Sequence, residues 1–159
     1  SESAIRMNDS AEVNPRNQAT LVHEYTHGIV DELSGFNPRG VPIWANEGLA
    51  EYVEWRHEGS DGPPPLEAVA LRSYARSGQI PKLKEMADQA LVNQDNPALR
   101  YAVSACAVRL LIRRKSVEEV IEMIRDLGKG KKLGAVLEGR FDITLEHLQE
   151  QLEDDLKSR

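Results

Sequence analysis

Wherever an apolar-periodic stretch of this chain stops, a residue that caps or ends helices stands close by. That punctuation constrains the fold more than any other feature. Asn14-Pro15 supplies a cap and a first helical residue. Leu21, Tyr25 and Ile29-Val30 then recur at helical spacing, the pattern runs to Leu33, and Gly35 is a stop signal. A turn through Asn37-Pro38-Arg39-Gly40 leads by way of Trp44-Ala45 into a second helix over about residues 47–55. Residues 58–65 hold two glycines and three prolines and read as loop. A third helix over 66–76 is ended by Gly78, and residues 81–96 read as one short helical turn followed by irregular chain. Asn96-Pro97 repeats the cap-and-proline signal and opens a long apolar helix to about residue 115. Ser116 with Glu119 forms a capping box for a helix ended by Gly128. A short helix around 132–138 precedes Gly139, and Thr144 caps a last one from 145 to about 157. The fold class expected is mainly α, α+β at most, in a single domain over residues 1–159.

Only Ala4-Ile5-Arg6-Met7 reads as a strand, and a strand without partners is not stable. A small or truncated N-terminal β-sheet is therefore expected, its partner strand supplied either elsewhere in the chain or upstream. The chain opens on Ser1 rather than methionine, which fits a fragment of a longer protein.

With 159 residues, 40% hydrophobic and 29% charged, the chain can bury one ordinary core. Its formal charge of −6, with acids and bases interleaved, argues against nucleic acid as a partner, because phosphate recognition needs a concentrated basic face. The basic run Arg113-Arg114-Lys115 ends a predicted helix, where it complements the helix dipole. A single cysteine, Cys106, excludes an internal disulfide and a cysteine-rich zinc site, and its apolar neighbours mark it as buried. No apolar run approaches the roughly 20 residues needed to span a bilayer.

Chemistry concentrates in His23-Glu24-Tyr25-Thr26-His27, in the middle of the first helix. Residues four apart lie on one helix face, so His23 and His27 can converge on one metal ion. Glu24, about 100° round the helix from His23, is free of ligation and positioned to serve as general base toward an attacking water. Two imidazoles leave a catalytic zinc one protein ligand short. Glu47 is the candidate third ligand, in Trp44-Ala45-Asn46-Glu47-Gly48-Leu49-Ala50-Glu51-Tyr52. The chain between His27 and Glu47 is long enough to turn and bring a second helix back beside the first. Glu51, one turn beyond Glu47 on the same face, is the candidate acceptor for the outward N–H of a ligand histidine. Gly28 and Gly48 are small enough to let the two helices approach near the metal.

The pair HEYTHGIVDEL and WANEGLAEY resembles the gluzincin metallopeptidases, which include thermolysin and the zinc aminopeptidases, and in particular the small peptidase-MA-like domains of bacteria. The resemblance covers roughly residues 20–55. It implies a helical zincin-like catalytic domain, a zinc cofactor on His23, His27 and Glu47, Glu24 as base, Glu51 in support, and a peptide or protein substrate. It also implies a tyrosine or histidine downstream that stabilises the oxyanion, and Tyr101, early in the helix after Asn96-Pro97, is the candidate. Domains of this kind often act outside the bacterial cytoplasm.

Plainer readings exist for each residue. Glu47 can be an acid in the first turn of a helix, favoured by the dipole, and Glu51 a solvated helix acid. Tyr101 can be a boundary aromatic, Trp44 and Trp55 core packing, and His57 and His147 surface residues. For the whole chain the alternative is a non-catalytic metal-binding or degenerate peptidase-like module, used for partner binding or for structure in a larger protein.

Overall fold

The computed structural model describes residues 15–158, so the strand read at residues 4–7 and the cap at Asn14 lie outside the described residues. Within them the chain forms α1 (Pro15–Leu33), α2 (Ile43–His57), α3 (Pro65–Arg76), α4 (Pro97–Arg114), α5 (Val117–Gly128), α6 (Leu133–Phe141) and α7 (Leu145–Lys157). Short 3-10 turns lie at Pro38–Gly40, Leu83–Met86 and Leu91–Asn93. No strand occurs among the described residues, and the mainly helical reading holds.

α2 lies between α1 and α4, and α4 also contacts α3, α5 and α7. α4 earns the central position by composition: Ala102 to Val108 are buried without a break, Cys106 among them, and Leu111 completes the packing. Trp44 is fully enclosed and Trp55 nearly so, both as core residues. The small side chains on α4 let α2 come very near. A Cβ on Gly48 would overlap the backbone carbonyl of Ser104. Gly48 therefore serves the α2–α4 contact, not the approach of α2 to α1 that its position between two site residues suggests.

Two helix boundaries and two caps differ from expectation. α2 begins at Ile43, four residues before Glu47, because Trp44 and Ala45 join the core and Pro42 starts the helix without a side-chain cap. Asn96 precedes α4 in a left-handed conformation (φ 50°), which does not suit N-capping; its amide donates to the Tyr74 hydroxyl instead. α6 runs through Gly139 to bury Phe141 and stops at Asp142, a residue type that tolerates the left-handed conformation found there. The capping box at α5 is taken up by half: Ser116 Oγ accepts from the Glu119 amide, while the Glu119 carboxylate accepts from Arg140.

The basic run at the end of α4 braces the fold. Arg113 donates to Asp61 Oδ2 at 2.6 Å, and Arg114 donates to the carbonyls of Phe141 and Asp142. Asp61 also accepts from Tyr52, and its carbonyl accepts from buried Arg109, so the 58–65 loop is fastened to α2 and α4. His57 and His147 are exposed. No helix among the described residues is long and apolar enough to cross a membrane.

Candidate metal centre

The early start of α2 decides the environment of Glu47. The residue lies more than one turn inside the helix, beyond the free backbone N–H groups that favour acids at a helix start, so the dipole reading loses its basis. α1 and α2 pack side by side, and their facing residues are His23, His27 and Glu47. His27 Nε2 is 3.1 Å and His23 Nε2 is 3.4 Å from the same oxygen, Glu47 Oε2. The two imidazoles meet edge to face, with ring centroids 4.9 Å apart. One ligand atom from each residue falls within a 4.8 Å cluster. Two imidazole nitrogens and one carboxylate oxygen form a donor set able to hold a metal ion, and its chemistry is of the kind zinc accepts.

The outward edges of both rings are held by α2. His27 Nδ1 donates to Asn46 Oδ1 at 2.8 Å, and His23 Nδ1 donates to Glu54 Oε2 at 3.1 Å. Glu51 Oε2 is 3.8 Å from His23 Nδ1, beyond hydrogen-bonding distance. The support expected from Glu51 thus comes geometrically from Glu54, one turn further on. Asn46 and Glu54 were not singled out in the sequence. The available signal was the spacing 47, 51, 54, which keeps three carboxylates on one face of α2.

These contacts shape the titration of the site. Burial works against a charged His23, but hydrogen bonds and charge from Glu47 and Glu54 outweigh it and raise the imidazole to about 10. His27 is raised against the same penalty by Glu47 and Asn46. Burial would raise Glu47, yet its two histidine partners hold it at about 2. Glu51 goes the other way: burial and the Glu54 charge push it up to about 7, with His23 opposing. On α3, Glu67 is raised by burial and by the charges of Glu54 and Glu58.

Glu24 is exposed on α1 and is not among the clustered ligand residues. Tyr101, half-buried on α4, stands with its ring 6.4 Å from that of His23. Its hydroxyl is held protonated above its ordinary range by burial and by the negative charges of Glu47, Glu51 and Glu24. Glu24 and Tyr101 are therefore near enough to share the field of the site.

Roughly opposite on α1 lies an apolar recess of about 550 Å³, lined by Val22, Tyr25, Ile29, Leu33 and Val53 among others. It does not join the polar cluster. No family model matches this chain, and no curated protein or solved structure matches it significantly.

Proposed function

We propose that the chain is a zinc-dependent metallopeptidase domain of gluzincin type, with His23, His27 and Glu47 as the metal ligands. The observation that carries this reading is the approach of both Nε2 atoms to one oxygen of Glu47, at 3.1 and 3.4 Å. A salt bridge alone needs one histidine; two imidazoles and a carboxylate around one point make a metal-binding donor set. When bound, zinc supplies Lewis acidity and makes a water acidic enough to attack near neutral pH.

The chain's own residues supply the rest of the peptide-bond hydrolysis. Glu24 takes a proton from the water as its oxygen bonds to the carbonyl carbon, then delivers that proton to the amine as the C–N bond breaks. Its exposure on the helix face beside His23 leaves it accessible to substrate. Tyr101 donates from its hydroxyl to the oxyanion; the environment that keeps it protonated favours that role. Asn46 and Glu54 accept from Nδ1 of the two imidazoles, which reserves Nε2, the nitrogen that faces Glu47, for the metal.

The test is zinc content together with cleavage of a peptide library. Glu24→Gln is expected to retain zinc and to lose about 10²- to 10⁴-fold in rate, the range for a missing general base. A variant that cleaves as fast as the parent, or cleavage indifferent to chelator, rejects the assignment. Zinc binding with no cleavage of any peptide supports instead a non-catalytic metal-binding module.

A further inference from the structure

We propose that Glu54 is the positioning residue for His23, and that Glu51, although one turn from Glu47, is not. The proposal rests on the reading of His23, His27 and Glu47 as a metal centre. Glu54 Oε2 stands 3.1 Å from His23 Nδ1, against 3.8 Å for Glu51 Oε2. A carboxylate only accepts, so the shorter contact places a proton on Nδ1, and Nε2, 3.4 Å from Glu47, is the nitrogen left to give up its proton to a metal ion. His27 is arranged the same way through Asn46 at 2.8 Å.

One helix therefore carries both the third ligand and the two groups that orient the other ligands: positions 46, 47 and 54 of α2 act on positions 23 and 27 of α1. The two holds differ in kind. Asn46 offers a neutral amide oxygen, whereas Glu54 offers a charge-assisted bond that makes the imidazole a stronger donor. Glu51 comes no nearer to His23 Nδ1 than 3.8 Å. Removing it does not release the ring.

The experiment compares Glu54→Ala, Glu54→Gln and Glu51→Ala in the full 159-residue chain by zinc titration against a competing chelator. Absorption of the cobalt(II)-loaded proteins and the His23 ring proton signals of the metal-free proteins are recorded alongside. Glu54→Ala is expected to weaken zinc by about 10- to 100-fold, the usual effect of losing a group that orients a ligand histidine. It should also shift the cobalt bands and lose the protected Nδ1–H signal. Glu54→Gln, which keeps an acceptor oxygen, should recover part of the affinity and serves also if the alanine variant fails to fold. Glu51→Ala should weaken zinc at least tenfold less than Glu54→Ala. Equal affinity in Glu54→Ala and parent, or a larger loss in Glu51→Ala, overturns the proposal while the metal centre stands. A parent chain that takes up neither zinc nor cobalt removes the metal centre itself and the positioning role with it.

Discussion

Gly48 follows the proposed third ligand directly, yet it faces the other way, into α4. Replacing it by alanine drives a methyl group against the Ser104 carbonyl, a backbone atom that cannot swing aside. Overpacking of this kind costs about 1–3 kcal/mol. Gly48→Ala should therefore lower the urea midpoint by that equivalent without changing the slope, and an unaltered midpoint would mean that α2 and α4 separate more easily than their contact suggests. At this scale the sequence was informative in one direction. The pairing of His23 with His27 was legible because helical spacing alone puts two imidazoles on one face. Glu47 was legible because zinc chemistry asks for a third donor at a reachable distance. Asn46 and Glu54 were not, since a hydrogen-bond acceptor for a histidine needs no particular neighbours in the chain. Only the packing of α2 on α1 selects Glu54 over Glu51.

Helix termini carry the next level of information. Ser116 caps α5 by accepting from the Glu119 amide at 3.2 Å, so Ser116→Ala should cost about 1 kcal/mol in a thermal or urea unfolding measurement. Glu119→Ala, by contrast, should act through its ion pair with Arg140 on α6 and lose its effect at high salt. If both variants respond to salt alike, the division of labour within S-x-x-E is wrong. Caps formed by side chains, as at Ser116 and Thr144, were readable because serine and threonine announce them. The start of α2 was not readable: Pro42 initiates it through backbone alone, and what fixes the boundary is the burial of Trp44. Gly139 misled for a similar reason. A glycine permits a stop, but the enclosure of Phe141 two residues later outweighs the permission.

For the whole molecule, two links between helices dominate the expected response to conditions. Asp126, only 6% exposed at the end of α5, accepts from Arg140 Nε at 2.7 Å and Lys131 Nζ at 3.3 Å. Arg140, against the cost of burial, holds the carboxyl below its ordinary range, and Lys131 adds to it. The unfolded chain therefore binds the proton more readily, and stability rises with pH between the folded pKa and the unfolded value of about 3.9. The contribution is complete above that value and lost as acid drives pH through the folded pKa. Asp126→Asn should be less stable at neutral pH and show a flatter acid limb. Parallel curves for variant and parent would exclude this network as a source of acid sensitivity.

The second link is the proposed metal centre, which joins α1 to α2. α1 otherwise packs on α2 and α5 alone among its principal contacts, while the core built on α4 holds the remaining helices. A ligand that binds only the folded chain stabilises it by about 2.7 kcal/mol at 100 times its Kd, about 5–10 °C in Tm for a domain of this size. The gain should be uneven. Hydrogen exchange in the middle of α1 should slow with zinc by more than exchange in α4, since α4 opens only with the whole fold and α1 can detach from it. His23→Ala should abolish the zinc-dependent rise in Tm, and chelator should reverse it in the parent. If zinc protected α1 and α4 equally, the ion would be acting on the global fold and not as a clasp between two helices. If His23→Ala kept the full rise, the ion would be bound elsewhere, and the convergence of three side chains at Glu47 would be an ion pair and nothing more.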